Sequence, residues 1–174
     1  MKNLFIFFTL VYLLVFFSKP VFAESNYVLP YPSFMPGNIL YKINLIKDDI
    51  LRYWYFGNFN KFKYNLRQAD KYLVEAKTLF EYKQYFLGFE ALKKSDKFFS
   101  LIATNLKEAE KEKKNIRNNI YILKSAAAKH TEVLEKLRDE LPKTFNWQAE
   151  KEKPIMLNLK ATIDESISIR SKDL

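Results

Sequence analysis

The feature that most constrains the fold is a long stretch without proline, which runs from Asn38 to Leu141 and contains only Gly57 and Gly88 as glycines. Proline interrupts helices, so its absence over this distance permits long ones. Apolar residues in the stretch recur at alternating three- and four-residue spacing, which places them on one side of a helix. We therefore predict an all-α protein built as a helical hairpin or bundle.

The two glycines divide this pattern into three predicted helices. The first begins near Asn38, an N-cap residue type, and ends near Phe56. Its apolar stripe, which we expect to face the core, consists of Ile39, Ile43, Ile46, Ile50 and Tyr53. The second helix spans about 59–80, and the turn after it is predicted between Lys83 and Gly88.

The third predicted helix, about 88–141, carries the strongest signal because its apolar spacing continues through seven heptads. This is the period of a left-handed bundle or coiled coil. An unbroken helix would be ~80 Å long. It therefore either breaks near 111–119, where Lys113 occupies a stripe position, or projects and binds a partner helix with its surplus stripe. Pro142 ends it in both cases.

The C-terminal part is predicted to fold back on this helix. Residues 143–154 are typical of a polar connector, and 155–170 suit a short amphipathic helix, with a strand as the alternative. We divide the chain into a compact helical core at 38–102, a distal helical extension at 103–141, and a connector with the C-terminal helix at 142–174.

The N-terminal segment predicts export. Lys2 precedes an apolar run at 4–17, and Val21-Phe22-Ala23 is an acceptable cleavage site, so residues 1–23 are interpreted as a signal peptide. The alternative is an uncleaved segment that tethers the protein to the membrane. Residues 24–37 contain three prolines and are predicted to be an extended lead-in that spaces the domain from the export site.

The composition argues against most catalytic chemistry. The chain has no cysteine and a single histidine, so thiol nucleophiles and multi-histidine metal sites are not expected. Three glycines leave no loop that would cradle a phosphate. His130 lies on the stripe of the third predicted helix, and we expect it to be partly buried or at the rim. We predict no enzyme, no catalytic residue, no metal site and no cofactor.

The formal charge of +9 suggests an anionic partner, although 24 lysines against 5 arginines also fit AT-rich codon usage. A basic face on the predicted hairpin would attract anionic lipid headgroups or wall polymers. A solvated lysine-rich face is the alternative, and nucleic acid is not expected, since arginine is scarce. The candidate contacts are Lys61, Lys63, Arg67, Lys71, Lys93, Lys94 and Lys97.

Four consecutive aromatic residues end the first predicted helix: Tyr53, Trp54, Tyr55 and Phe56. Neighbours on a helix point in different directions, so all four cannot be core. We expect core packing for part of this run, and the others form a candidate interaction patch for a partner or membrane interface.

Three segments carry a resemblance to a known family: PGNILYKI at 36–43, ADKYLVEAK at 69–77 and YFLGFEALKKSDK at 85–97. This series resembles an uncharacterised family of exported bacterial helical proteins, found largely in candidate-phylum bacteria. The resemblance covers about 29–102, and the rest is interpreted as a lineage-specific extension. The family is a domain of unknown function, so the resemblance implies export and a helical fold and supplies no catalytic residue.

These observations together predict an exported, non-enzymatic interaction or scaffold protein of the bacterial cell envelope. Its partner would be another protein or a second copy, bound through helical surfaces. The alternative is peripheral binding to an anionic membrane or wall polymer through the lysine-rich face.

Overall fold

The computed structural model describes residues 26–150 and 153–172, and the predicted signal peptide lies outside them. Within these residues the chain is almost entirely helical, which confirms the predicted all-α class. The helices are α1 (Ile39–Trp54), α2 (Asn58–Glu81), α3 (Tyr85–Lys111), α4 (Arg117–Glu140) and α5 (Leu159–Ser171). No helix in this part of the chain is both long and apolar enough to cross a membrane.

The turns between the helices follow from local backbone chemistry. Asn38 caps α1, its side chain accepting a hydrogen bond from the Leu40 amide at 2.8 Å. Gly57, with φ of 77°, separates α1 from α2. The next two turns each place a lysine in the left-handed region: Lys83 (φ 59°) after α2 and Lys113 (φ 58°) after α3.

The third predicted helix is interrupted, which is the first of the two alternatives predicted for it. The chain leaves the helix after Lys111 and resumes at Arg117, inside the predicted window. At the break the Lys114 amide donates to the Ala109 carbonyl at 3.1 Å, which closes the last turn of α3. α4 therefore folds back on the hairpin, and the long projecting helix is not formed.

Helices α2–α5 form an antiparallel four-helix bundle. α2 and α3 pack along their whole length as a hairpin, while α4 contacts α2, and α5 packs against both α3 and α4. The heptad stripe of the third predicted helix becomes the core face of α3 and α4. Its residues from Leu92 to Ala109 and from Leu123 to Leu141 are consequently covered within one copy of the chain, whereas Lys113 and Ile120 stay exposed.

The bundle core contains two apolar clusters. The first cluster includes Leu73, Leu92, Leu134 and Ile163, and the second includes Phe62, Phe99, Ile102 and Leu123. Each cluster combines residues from both sides of residue 102, the predicted boundary between core and extension.

The C-terminal region differs in part from its prediction. Residues 155–157, predicted to begin a helix, form a strand, β2 (Ile155–Leu157), which pairs antiparallel with β1 (Phe145–Trp147) in the predicted connector. The strands are held by aromatic contacts to α3, since Trp147 stacks on Phe86 with ring centroids 4.1 Å apart. The helix itself starts at Leu159 and folds back on α4, as predicted.

The described part of the lead-in forms no helix, and its Leu29 and Met35 pack against the first cluster. One prediction near the N-terminus is wrong. The apolar stripe of α1 faces solvent, and the buried residues of this helix are Tyr41 and Asp48. The surface of α2 beneath α1 carries polar groups, so the polar side of α1 turns inward to bond with them.

Candidate functional site

The most unusual surface is the outward face of α1, which consists of Ile39, Ile43, Ile46, Ile50, Tyr53 and Trp54. These side chains are 76, 55, 61, 53, 77 and 72% exposed. Monomeric proteins rarely expose a contiguous apolar surface of this kind unless it binds something. This face is therefore our principal candidate for an interaction site.

Polar contacts hold the opposite side of α1 against α2. The Tyr41 hydroxyl donates to Glu75 Oε1 at 2.8 Å, and the Tyr64 hydroxyl donates to the Asp48 backbone carbonyl at 3.1 Å. Lys71 forms an ion pair with Asp48. Burial raises the pKa of the Glu75 carboxyl, which the Tyr41 hydrogen bond and the nearby Lys71 only partly oppose. α1 is thus fixed in an orientation that keeps its apolar side outside.

The four aromatic residues at 53–56 are partly exposed and partly packed against α2. Tyr53, Trp54 and Phe56 are exposed, whereas Tyr55 packs on Tyr64 with ring centroids 5.3 Å apart. The structure thus places three of the four predicted patch residues outward and one inward.

The seven predicted basic contacts lie on α2 and α3, and several of them are engaged within the fold. The Nζ atoms of Lys71 and Lys94 lie 5.2 and 5.5 Å from the centroid of the Tyr72 ring, and Lys93 Nζ lies 4.2 Å from that of Phe89. Lys61 and Lys97 line a pocket together with Phe98, whose ring stacks on Tyr72. Lys63 and Arg67 are exposed on α2. Lysines that cover aromatic rings are engaged within the fold and offer less to a ligand than free ones.

A buried polar layer separates the two apolar clusters, and the sequence indicated only one of its members. It consists of Asp70 from α2, Ser95 from α3, His130 from α4, and Ser166 and Arg170 from α5, together with the partly buried Asp96 from α3. The signal in the sequence was His130, which interrupts the apolar stripe of the third predicted helix. Asp70, Asp96 and Arg170 gave no comparable signal because they resemble solvated residues of amphipathic helices.

His130 is the centre of this layer and is 0% exposed, so it is neither partly buried nor at the rim as predicted. Arg170 Nε donates to His130 Nδ1 at 3.1 Å. An arginine can only donate, so Nδ1 carries no proton and the ring proton lies on Nε2, 2.7 Å from Asp70 Oδ1. Burial lowers the pKa of His130, helped by Arg170 and opposed by Asp70 and Asp96.

Arg170 connects the remaining members of the layer. Its Nη1 lies 2.6 Å from Asp96 Oδ1, and its Nη2 donates to Ser95 Oγ at 2.9 Å. Ser166 Oγ donates to Asp96 Oδ2 at 2.7 Å. The hydroxyl of Tyr27, from the lead-in, donates to Asp70 Oδ2 at 2.7 Å. Each of these groups has a partner inside the fold, so the layer joins helices and presents no reactive group to a substrate.

Within the described residues no group of three or more His, Cys, Asp and Glu side chains is placed to hold a metal ion. The acidic pair Asp48-Asp49 diverges as its adjacency predicts: Asp48 is buried against Lys71, and Asp49 is exposed.

No curated protein and no solved structure matches the chain. The model of one family, described as a domain of unknown function (DUF5667), matches residues 33–144, which is more than half of the chain. The match extends beyond the predicted limit at residue 102 and includes α1–α4, so the interpretation of 103–144 as a lineage-specific extension is wrong. The chain belongs to the DUF5667 family, an uncharacterised domain family of the kind that the resemblance indicated.

Proposed function

We propose that this protein is an exported, non-enzymatic interaction protein of the bacterial cell envelope, and that it attaches to an anionic membrane surface through the outward face of α1. The observation that carries the proposal is the exposure of that face. An exposed isoleucine forgoes roughly 1.5–3 kcal/mol that its burial would provide. Burial of several such side chains in a lipid interface would recover this free energy.

The residues around the face favour a lipid surface as its occupant. Lys42 and Lys47 lie on its two edges, each about 70° from its centre at about 100° per residue. An apolar helix face with lysines at its edges is typical of helices that lie in the membrane interface. Tyr53, Trp54 and Phe56 at its end are the aromatic types enriched at that depth.

The charge and the order of the chain support the same occupant. The formal charge is +9, and it is +7 for a chain cleaved after Ala23. A cation near an anionic leaflet contributes about 1 kcal/mol. If the leader stayed uncleaved, residues 24–38 would also hold α1 within about 50 Å of the membrane, since a segment of that length spans no more.

A partner helix is the second candidate occupant, because Ile39, Ile43, Ile46, Ile50 and Tyr53 keep the four-three spacing of a coiled-coil seam. The apolar stripe of the third predicted helix does not support a partner helix, since its residues Leu92, Phe99, Leu123 and Leu134 are buried within the bundle.

The surroundings of His130, the single histidine, support a non-enzymatic role. Both ring nitrogens of His130 are hydrogen-bonded within the polar layer, where no substrate reaches them.

The test is co-sedimentation of residues 24–174 with vesicles of phosphatidylglycerol and phosphatidylethanolamine, compared with purely zwitterionic vesicles. We expect binding to the anionic vesicles that weakens with salt. The variant I43S/I46S should bind at least tenfold more weakly, because two isoleucines no longer enter the interface. The matched control Y121S/M156S changes two side chains that are 71 and 63% exposed elsewhere and should bind like the wild type.

Equal vesicle binding by I43S/I46S and the wild type would refute attachment through α1, as would the absence of binding. Concentration-dependent dimerisation in sedimentation velocity, abolished by I43S/I46S, would replace the membrane with a second copy as the occupant.

A further inference from the structure

A pocket of about 320 Å³ lies between the end of α1, the first half of α2 and the second half of α3. This volume is at the lower end of the range for small-molecule sites, which is about 300–1,000 Å³. The pocket is on the bundle side of α1, so it is distinct from the outward face described above.

The pocket is lined by three cations and no carboxylate. Arg52 comes from α1, Lys61 from α2 and Lys97 from α3, and no Asp or Glu is among the lining residues. Within the described part of the chain none of the three forms an ion pair, although several other lysines do. Three unpaired cations around one concavity produce a positive potential that an anion would neutralise.

Two asparagines line the same wall. Asn105 has its Nδ2 buried without a partner among the described residues. Asn65 is only 8% exposed and also lines the pocket. A buried polar group without a hydrogen bond costs about 1–3 kcal/mol. A ligand oxygen near Asn105 Nδ2 would remove that cost.

Aromatic rings form the apolar part of the pocket. Phe98 contacts Tyr64 edge-on with ring centroids 6.0 Å apart, and Tyr64 in turn contacts Tyr55. All three line the pocket. A wall of this kind accommodates the apolar body of a ligand whose charged group reaches the cations and amides.

We propose that this pocket binds a small organic anion, with a carboxylate or phosphate at Arg52, Lys61 and Lys97 and an apolar body against Phe98. The site goes beyond the proposed membrane attachment and does not depend on it, because none of its residues belongs to the outward face of α1.

The test is titration of residues 24–174 with phenyl phosphate, followed by calorimetry and by NMR of the asparagine side-chain amides. We expect saturable binding that shifts the Asn65 and Asn105 amide signals. K97Q should weaken binding at least fivefold. K93Q, the matched control, removes the same charge one turn earlier, where Lys93 covers Phe89, and should change the affinity less than twofold.

The neutral probe benzyl alcohol tests whether charge is recognised. If it binds as tightly as phenyl phosphate, or if K97Q and K93Q behave alike, the proposal is overturned.

A lipid headgroup offers the same chemistry as a soluble phosphate ester, so a second arm uses vesicles that contain phosphatidic acid. Weaker vesicle binding by K97Q than by K93Q, without binding of soluble phenyl phosphate, identifies the lipid as the source of the anion. Failure of both arms refutes the pocket but leaves the outward face untouched, because that face is tested separately by I43S/I46S.

Discussion

His130 is neutral in the folded protein because its hydrogen bonds with Arg170 and Asp70 require one ring nitrogen with a proton and one without. Arg170 donates to one nitrogen and Asp70 accepts from the other. A second proton would face the Arg170 charge in a site without access to water. This arrangement makes the stability of the fold depend on pH.

The direction of that dependence follows from the lowered pKa. In the unfolded chain His130 takes up a proton near its ordinary pKa of 6.5, whereas in the folded chain it does so only at lower pH. Between the two pKa values the unfolded state binds more protons. The free energy of unfolding is therefore highest above pH 6.5 and falls as the pH decreases, by up to about 1.4 kcal/mol per pH unit.

The substitution His130→Gln tests this prediction, since a glutamine amide can accept from Arg170 and donate to Asp70 but does not titrate. Urea unfolding at pH 7.5, 6.5 and 5.5 should show a smaller decrease for the variant than for the wild type. Glu75, whose raised pKa acts in the opposite direction, is present in both proteins and cancels from the difference. Parallel pH profiles would contradict the prediction.

At the level of secondary-structure elements, the α2–α3 hairpin depends on how closely its helices approach near the turn. The sequence located this turn within a few residues because Gly88 suggested a break. The break falls at Lys83, and Gly88 lies inside α3 against the ring of Phe80. Gly88 is therefore needed for the close approach of α3 to Phe80 and not for a turn. The sequence alone does not show which of these two roles a glycine has.

Gly88→Ala should therefore destabilise the protein, although alanine favours helix. An added Cβ would lie 2.6 Å from a Phe80 ring carbon, and the ring is buried and cannot move aside freely. The steric cost of about 1–3 kcal/mol outweighs a propensity gain of about 1 kcal/mol. We expect a net loss of up to about 2 kcal/mol in urea unfolding.

The variant F80L provides the control for this contact. In the F80L background the cost of Gly88→Ala should shrink, since the ring that meets the new methyl group is gone. An unchanged cost in both backgrounds would show that the loss has another origin.

At the level of the whole molecule, periodicity predicted the helices well and the faces of α1 poorly. The spacing of Ile39, Ile43 and Ile46 shows that one side of the helix is apolar, but not whether that side meets the core. The answer depends on the surface beneath it, where Lys71 and Glu75 bind the polar side of α1. Such pairings are long-range, and a single sequence does not reveal them.

The candidate pocket shows the same limit. Lys61 and Lys97 were predicted as basic contacts, but Arg52, Asn65 and Asn105 were not associated with them, because the three helices meet only after the chain folds. The polar layer is a further case, since its six side chains come from four helices. Arg170, which connects the other members, is 0% exposed although it lies near the end of the last helix.

Arg170 thus stabilises the bundle as a whole, and its removal should affect more than α5. Arg170→Ala leaves Asp96 without its cation and His130 Nδ1 without its donor. Removing one partner of a buried ion pair costs about 3–5 kcal/mol, because the other charge stays buried. Arg138, which pairs with Asp164 at 3.2 Å on the surface, provides the matched control, and Arg138→Ala should cost less than about 1 kcal/mol.

Urea unfolding would measure both costs, and amide hydrogen exchange would locate them. If the polar layer joins the helices, Arg170→Ala should raise exchange rates in α2, α3 and α4 as well as in α5. Faster exchange confined to α5 would mean that the last helix merely docks on a bundle that is stable without it. The layer would then serve to position α5, and the two apolar clusters alone would hold the other helices together.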